Sequence, residues 1–303
     1  MKNVLIIVFL FVSGGCIDEH QIDLPSEPPR IVIDGLISNR QGESYVNIGW
    51  STTANFSCRN SFGDNAKCEP GTFSGPYKVN GLVRIIENNG ARTIELPFKM
   101  NDKEGMILVK PEITGTPGYK YELEVEMDYD GAREYYSAST EMLPTPQITN
   151  ITYEIRKGDV GKNDNLVPLI SFTDPAEENF YLFQLCSIDL NRVYCGNSRV
   201  WSYSIIADTF LPSAVQGLSI DDGASIAKYA EFYPAPEVDA GVQVRMYSVN
   251  RLIYDFYKSL IDQFNNDGGA YSPTPAMPKG NISGNGIGLF RALEESSASV
   301  YYQ

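Results

Sequence analysis

Tyr119-Lys120-Tyr121-Glu122-Leu123-Glu124-Val125-Glu126-Met127 alternates without a break between apolar and charged side chains. A period of two places Tyr119, Tyr121, Leu123, Val125 and Met127 on one face of a strand, and Lys120, Glu122, Glu124 and Glu126 on the other. One face is core and the other is water, as in an antiparallel sheet solvated on one side. Residues 128–131 turn the chain back into a partner strand at 133–139. Upstream, strands at 82–87 and 92–96 flank Asn88-Asn89-Gly90, residues suited to a tight hairpin turn. Tyr45–Trp50 alternates in the same way, with Val46, Ile48 and Trp50 on one face. Ile31–Ser38 forms a first strand, interrupted at Asp34-Gly35.

Met142-Leu143-Pro144-Thr145-Pro146 has the composition of a semi-rigid linker. Beyond it, short runs rich in β-branched and aromatic residues recur at 148–155, 166–172, 180–188, 200–206 and 242–249. One segment changes period. Leu252, Phe256, Leu260 and Phe264 recur every four residues, with Ile253, Tyr257 and Ile261 beside them and Asn250 placed to cap. This predicts a core-facing helix over about 250–264. Glycines at 280, 284, 286 and 288 predict a tight turn into a last strand pair, 287–292 and 298–302. The chain therefore reads as all-β, with two β-sandwich-like domains at 31–143 and 144–303 and one amphipathic helix near the C-terminus.

The segment 113–139 resembles the end of a fibronectin type III or immunoglobulin-like sandwich. Pro117-Gly118-Tyr119-Lys120-Tyr121 stands where such folds place a corner whose tyrosine hydroxyl bonds back to the preceding loop.

The N-terminus has a different character. Lys2 precedes an unbroken apolar run over residues 4–12, too short to span a bilayer and suited to a signal-peptide core. Ser13, Gly14 and Gly15 then lead to Cys16. This resembles the lipobox of bacterial lipoproteins, with Ser13 where leucine is usual. The resemblance implies cleavage of residues 1–15 and acylation of Cys16, by diacylglycerol and palmitate. Asp18-Glu19 resembles the acidic export signal of surface lipoproteins in Bacteroidota. Residues 16–30 read as a lipid anchor and flexible, proline-rich tether. The expected address is the outer membrane, lipid-anchored and surface-exposed.

A formal net charge of −14 argues against nucleic acid as a partner. Four of the five cysteines fall as close pairs, Cys58 with Cys68 and Cys186 with Cys195, and Cys16 is the one left over. In an exported chain such pairs are expected to be disulfides. Neither has metal-ligand spacing, and no histidine lies near. The single histidine, His20, sits in the tether, so the body has no imidazole base for serine or cysteine catalysis. Asp159 and Asp164 lack the spacing of a calcium loop. No catalytic residue, metal or cofactor is expected. A carboxylate-based hydrolase is the least favoured reading.

Binding candidates are the loop 51–80, the aromatic run with Trp201 and Tyr203, and the acidic pair Asp221 and Asp222. Rigid scaffolds present binding residues on loops of this kind. The plainer readings are a decorated loop, buried strand aromatics and a solvated turn.

The leader, Val-Ile-Asp-Gly-Leu-Ile-Ser-Asn at 32–39, and Gly-Asn-Ile-Ser-Gly-Asn-Gly-Ile-Gly-Leu-Phe-Arg-Ala at 280–292 together resemble an uncharacterised family of Bacteroidota outer-membrane lipoproteins. That family carries a domain of unknown function across nearly the whole mature chain and is typically encoded beside TonB-dependent receptors. The resemblance implies a lipid-anchored accessory or ligand-binding subunit of a TonB-dependent uptake system. The expected partners are outer-membrane lipid through Cys16, a TonB-dependent receptor, and an unidentified small-molecule or peptide ligand. The alternative is a free-standing structural or adhesive surface lipoprotein.

Overall fold

The structure is a computed structural model. It describes residues 30–51, 79–100, 106–129, 131–156, 165–189, 192–195, 203–220, 224–225, 241–265 and 278–301. In chain order the strands are β1 (Ile31–Ser38), β2 (Tyr45–Trp50), β3 (Val79–Glu87), β4 (Arg92–Met100), β5 (Met106–Val109), β6 (Lys120–Tyr129) and β7 (Ala132–Glu141). After the linker come β8 (Ile148–Arg156), β9 (Asn165–Thr173), β10 (Phe180–Asp189), β11 (Arg192–Cys195), β12 (Tyr203–Ala207), β13 (Ala214–Ser219), β14 (Ala224–Ser225) and β15 (Gly241–Val249). Helix α1 (Arg251–Asn265), β16 (Ile287–Leu293) and β17 (Ser296–Tyr301) complete the described elements. The protein is all-β, built of sandwiches, with one helix of this length among the described residues.

In the first sandwich, β4-β3-β6-β7 faces β16-β1-β2-β5. The alternation of β6 holds. Tyr121, Leu123, Val125 and Met127 are buried against Ile33, Ile37, Val46, Ile48, Val83 and Ile85 in one apolar cluster. Tyr119 departs from that pattern. It precedes the strand in a turn and is 37% exposed. The corner forms at Tyr121, whose hydroxyl accepts the Thr116 backbone N–H at 2.7 Å and donates to Glu87 at 3.2 Å. Asp34-Gly35 does not interrupt β1, which pairs continuously with β2 on one side and β16 on the other. Gly35 is needed for packing, because a Cβ there would lie 2.7 Å from the Phe290 ring.

The C-terminal strands do not pair with each other as expected. β16 runs parallel to β1, with Val32 opposite Ile287 and Ser38 opposite Leu293. β17 instead pairs with β15 in the second sandwich. Part of the stretch expected in a domain over 144–303 thus completes the sheet that begins at Ile31. The physical reason is the composition of β16. Phe290 and Ala292 enter the first core, while Leu289 and Leu293 face the other way. A strand with two apolar faces needs cover on both sides.

In the second sandwich, β9 is paired by β8, β13 and β14, while β10 is paired by β11, β12 and β15. The inner face buries Tyr181, Phe183, Val244 and Met246 against Ile170, Phe172 and Val215. The opposite face carries Phe180, Leu182, Tyr247 and Val249, and α1 covers it. Asn250 caps α1, its Oδ1 accepting the Ile253 N–H at 3.0 Å. The buried stripe is centred on Ile253 and Tyr257, whereas Leu252 is 38% exposed. Leu36, Leu289 and Leu293 join the same apolar cluster, so α1 lies where the two sandwiches meet.

A candidate functional site where the sandwiches meet

Alternation along β16 sends Phe290 inward and Arg291 outward, toward the junction. The Arg291 side chain is only 9% exposed, and its ion-pair partner Asp34 is 43% exposed. Nη1 donates to Asp34 Oδ1 at 2.5 Å and Nη2 to the Tyr45 hydroxyl at 3.0 Å. The Tyr45 hydroxyl in turn donates to Asp34 Oδ2 at 3.0 Å. These contacts form a closed ring of one carboxylate, one phenol and one guanidinium. Among the described residues Nε of Arg291 has no hydrogen-bond partner. Burial opposes the charge of Arg291, but the acidic groups of Tyr257, Asp34 and Tyr45 outweigh it and raise the pKa well above its ordinary value.

Tyr257 from α1 and Tyr203 from β12 stand beside this ring, their own rings 5.1 Å apart between centroids. Burial raises the pKa of Tyr45, Tyr203 and Tyr257. A second ionic group adjoins it. The Glu295 side chain, 3% exposed, receives Arg40 Nη1 at 2.5 Å and Arg245 Nη1 at 3.3 Å. Tyr247 donates to the same carboxylate at 3.4 Å, and Gln243 Oε1 accepts Arg245 Nε at 3.0 Å. The linker is fixed here too. The Thr145 N–H donates to Glu294 Oε2 at 2.6 Å, and the Thr145 hydroxyl accepts the Ser248 N–H at 2.9 Å.

With their pKa values raised, Arg40, Arg291, Tyr45, Tyr203, Tyr247 and Tyr257 keep their protons at neutral pH, so they act as hydrogen-bond donors rather than bases. With charges paired and aromatic faces alongside, the arrangement suits recognition by hydrogen bonding and ring contact. Among the described residues no group of three or more His, Cys, Asp or Glu side chains could hold a metal ion. Among those residues, too, no helix is long and apolar enough to cross a membrane.

Of the residues singled out in the sequence, Tyr203 lies at this junction. Cys186 and Cys195 are directly opposed on β10 and β11 and form a disulfide, as expected. Cys16, Cys58, Cys68, Trp201, Asp221 and Asp222 lie outside the described residues. Sequence reasoning missed Asp34, Tyr45, Arg291, Tyr257 and Glu295. A signal for two of them was present: Asp34 and Arg291 each interrupt an otherwise apolar strand, where an unpaired charge is disfavoured.

One family model matches residues 17–299, that of a domain of unknown function (DUF4249). No curated protein matches the chain. Among solved structures, the chain is similar to the FN1–FN3 domains of chicken CNTN1, at 9% identity and a TM-score of 0.25. That match covers 74% of this chain and 64% of the other, so the chain spans under two thirds of its length. It is also similar to a two-domain fibronectin type III segment of chicken tenascin, at 8% identity and a TM-score of 0.20, covering 74% of this chain and 92% of that one.

Proposed function

The chain belongs to the family of the domain of unknown function DUF4249, and from that premise we propose that it is a lipid-anchored binding protein of the cell envelope. Its role in this reading is that of an accessory or ligand-binding subunit of a TonB-dependent uptake system in the outer membrane. The observation that carries the proposal is the leader, an apolar run at 4–12 ending in Ser13-Gly14-Gly15-Cys16 and followed by a proline-rich tether. Acylation at Cys16 would hold the body on the membrane, since more than one chain gives stable anchoring. We assign ligand contact to the junction around Arg291, Tyr203 and Tyr257.

The test is isolation of the protein in mild detergent through a C-terminal tag, with its companions identified. A TonB-dependent receptor recovered at near one-to-one ratio supports the subunit role. Recovery of the protein alone overturns that role and leaves the structural or adhesive reading. Metabolic labelling with palmitate, lost in Cys16→Ser, tests the anchor separately.

A further inference from the structure

We infer that the first sandwich is a strand acceptor whose ligand is the chain's own C-terminal segment, residues 278–295, and that this site accepts the segment in trans. The segment spans the open side of the sandwich and touches both of its sheets. On one sheet β16 supplies seven register pairs to β1, from Val32–Ile287 to Ser38–Leu293. On the other, the Ser283 N–H donates to the Ser137 carbonyl and Ser283 Oγ accepts the Ser137 N–H, each at 2.8 Å. Asn281 ties the two together. Its side-chain amide donates to the Ser139 carbonyl at 3.0 Å and the Phe290 carbonyl at 2.8 Å, while its Oδ1 accepts the Phe290 N–H at 2.8 Å.

The slot is shaped to this one segment. Phe290 is fully buried among residues drawn from β1, β2, β3, β6 and β7. Gly35 leaves room for its ring. Gly288 has φ +122° and lies so close to the Ile33 carbonyl that any Cβ would overlap it. Asp34 then neutralises Arg291, 257 positions along the chain. Without the segment, β1 would be an edge strand with a row of unpaired backbone groups beside an open core. Recognition by strand addition draws affinity from main-chain bonds and specificity from side-chain pockets, and both are present here. It follows that the N-terminal sandwich reaches its final form only once residue 293 has been made.

The decisive experiment uses the full-length chain carrying Phe290→Glu, followed by region-resolved hydrogen exchange. The expected result is loss of protection across Ile31–Trp50 with protection retained across Gly241–Val249. A synthetic peptide of residues 278–295 should restore protection in a saturable way, and the same peptide with Phe290→Glu should not. Unchanged protection at Ile31–Trp50 in the variant would overturn the inference. So would a loss, local or chain-wide, that the wild-type peptide does not reverse, or equal rescue by both peptides.

Discussion

Asp34 and Arg291 stand 257 positions apart in the chain and share an ion pair of 2.5 Å between two parallel strands. Two strands from distant parts of the chain, β1 and β16, therefore meet in one sheet. Their environments differ, with the guanidinium buried and the carboxylate partly open to water. Breaking such a pair from one side leaves a buried charge without its partner, which costs more than the pair itself contributes. Asp34→Ala should lower stability by about 3 kcal/mol, the low end for a buried pair, because Asp34 itself is hydrated. Asp34→Asn combined with Arg291→Met should recover most of the loss. Equilibrium denaturation of the wild type and these two variants checks both statements, and a double variant no better than the single one would refute them.

Glycine is required to different degrees at Gly35 and Gly288. At Gly35 the clashing group is an aromatic ring that can shift, so Gly35→Ala should cost about 1–3 kcal/mol, the usual range for overpacking. At Gly288 the obstacle is the Ile33 backbone, and φ is +122° as well. Gly288→Ala should be the worse of the two. Melting temperatures that reversed this order would contradict the placement of β16.

The Cys186–Cys195 disulfide joins directly opposed residues on β10 and β11 with a sequence separation of nine. A loop this short is worth about 2–3 kcal/mol in the chain-entropy model. Cys186→Ser with Cys195→Ser should lower stability by that amount while leaving the β10–β15 pairing intact. Non-reducing peptide mapping should recover the linked pair from the wild-type protein. Recovery of Cys186 joined to Cys58 or Cys68 would show a different connectivity.

Alkaline pH offers a test of the junction. Burial raises the pKa of Tyr45, Tyr203, Tyr247 and Tyr257 above the ordinary tyrosine value of about 10. The folded protein therefore holds protons that the unfolded chain releases, and stability falls as pH rises past about 10. Below that pH the contribution is fully present. Tyrosinate absorbance for these residues should appear only together with unfolding. An early, reversible titration of the whole tyrosine complement in the folded state would place the four hydroxyls in water instead.

Several parts of this protein were legible from local pattern alone. The alternation in β6 named its buried residues, because a two-residue period puts all one-sided contacts on one face. The spacing Cys186 to Cys195 around a turn named a disulfide, and Asn250 named a helix start. The limits were equally local. Tyr119 continues the alternation on paper, yet the chain is still in its turn there. Leu252 fits a four-residue period, yet the packed stripe of α1 runs through Ile253 and Tyr257, because the surface it covers belongs to β10, β15 and β16.

By itself, then, the sequence determined most of the strands, though not β5, β13 or β14, that one segment is a helix, and which side chains of most of those strands seek the core. These are properties of periods over a few residues. Only the tertiary structure decided that Ile287–Leu293 leaves its neighbour β17 and lies beside Ile31–Ser38, and so that Asp34, Tyr45, Tyr203, Tyr257 and Arg291 share one junction. Strand partners more than 250 positions apart leave no mark in any local period. Their choice rests on the fit of Phe290 over Gly35 and on the neutralisation of a buried guanidinium, interactions that exist only once the chain has closed on itself.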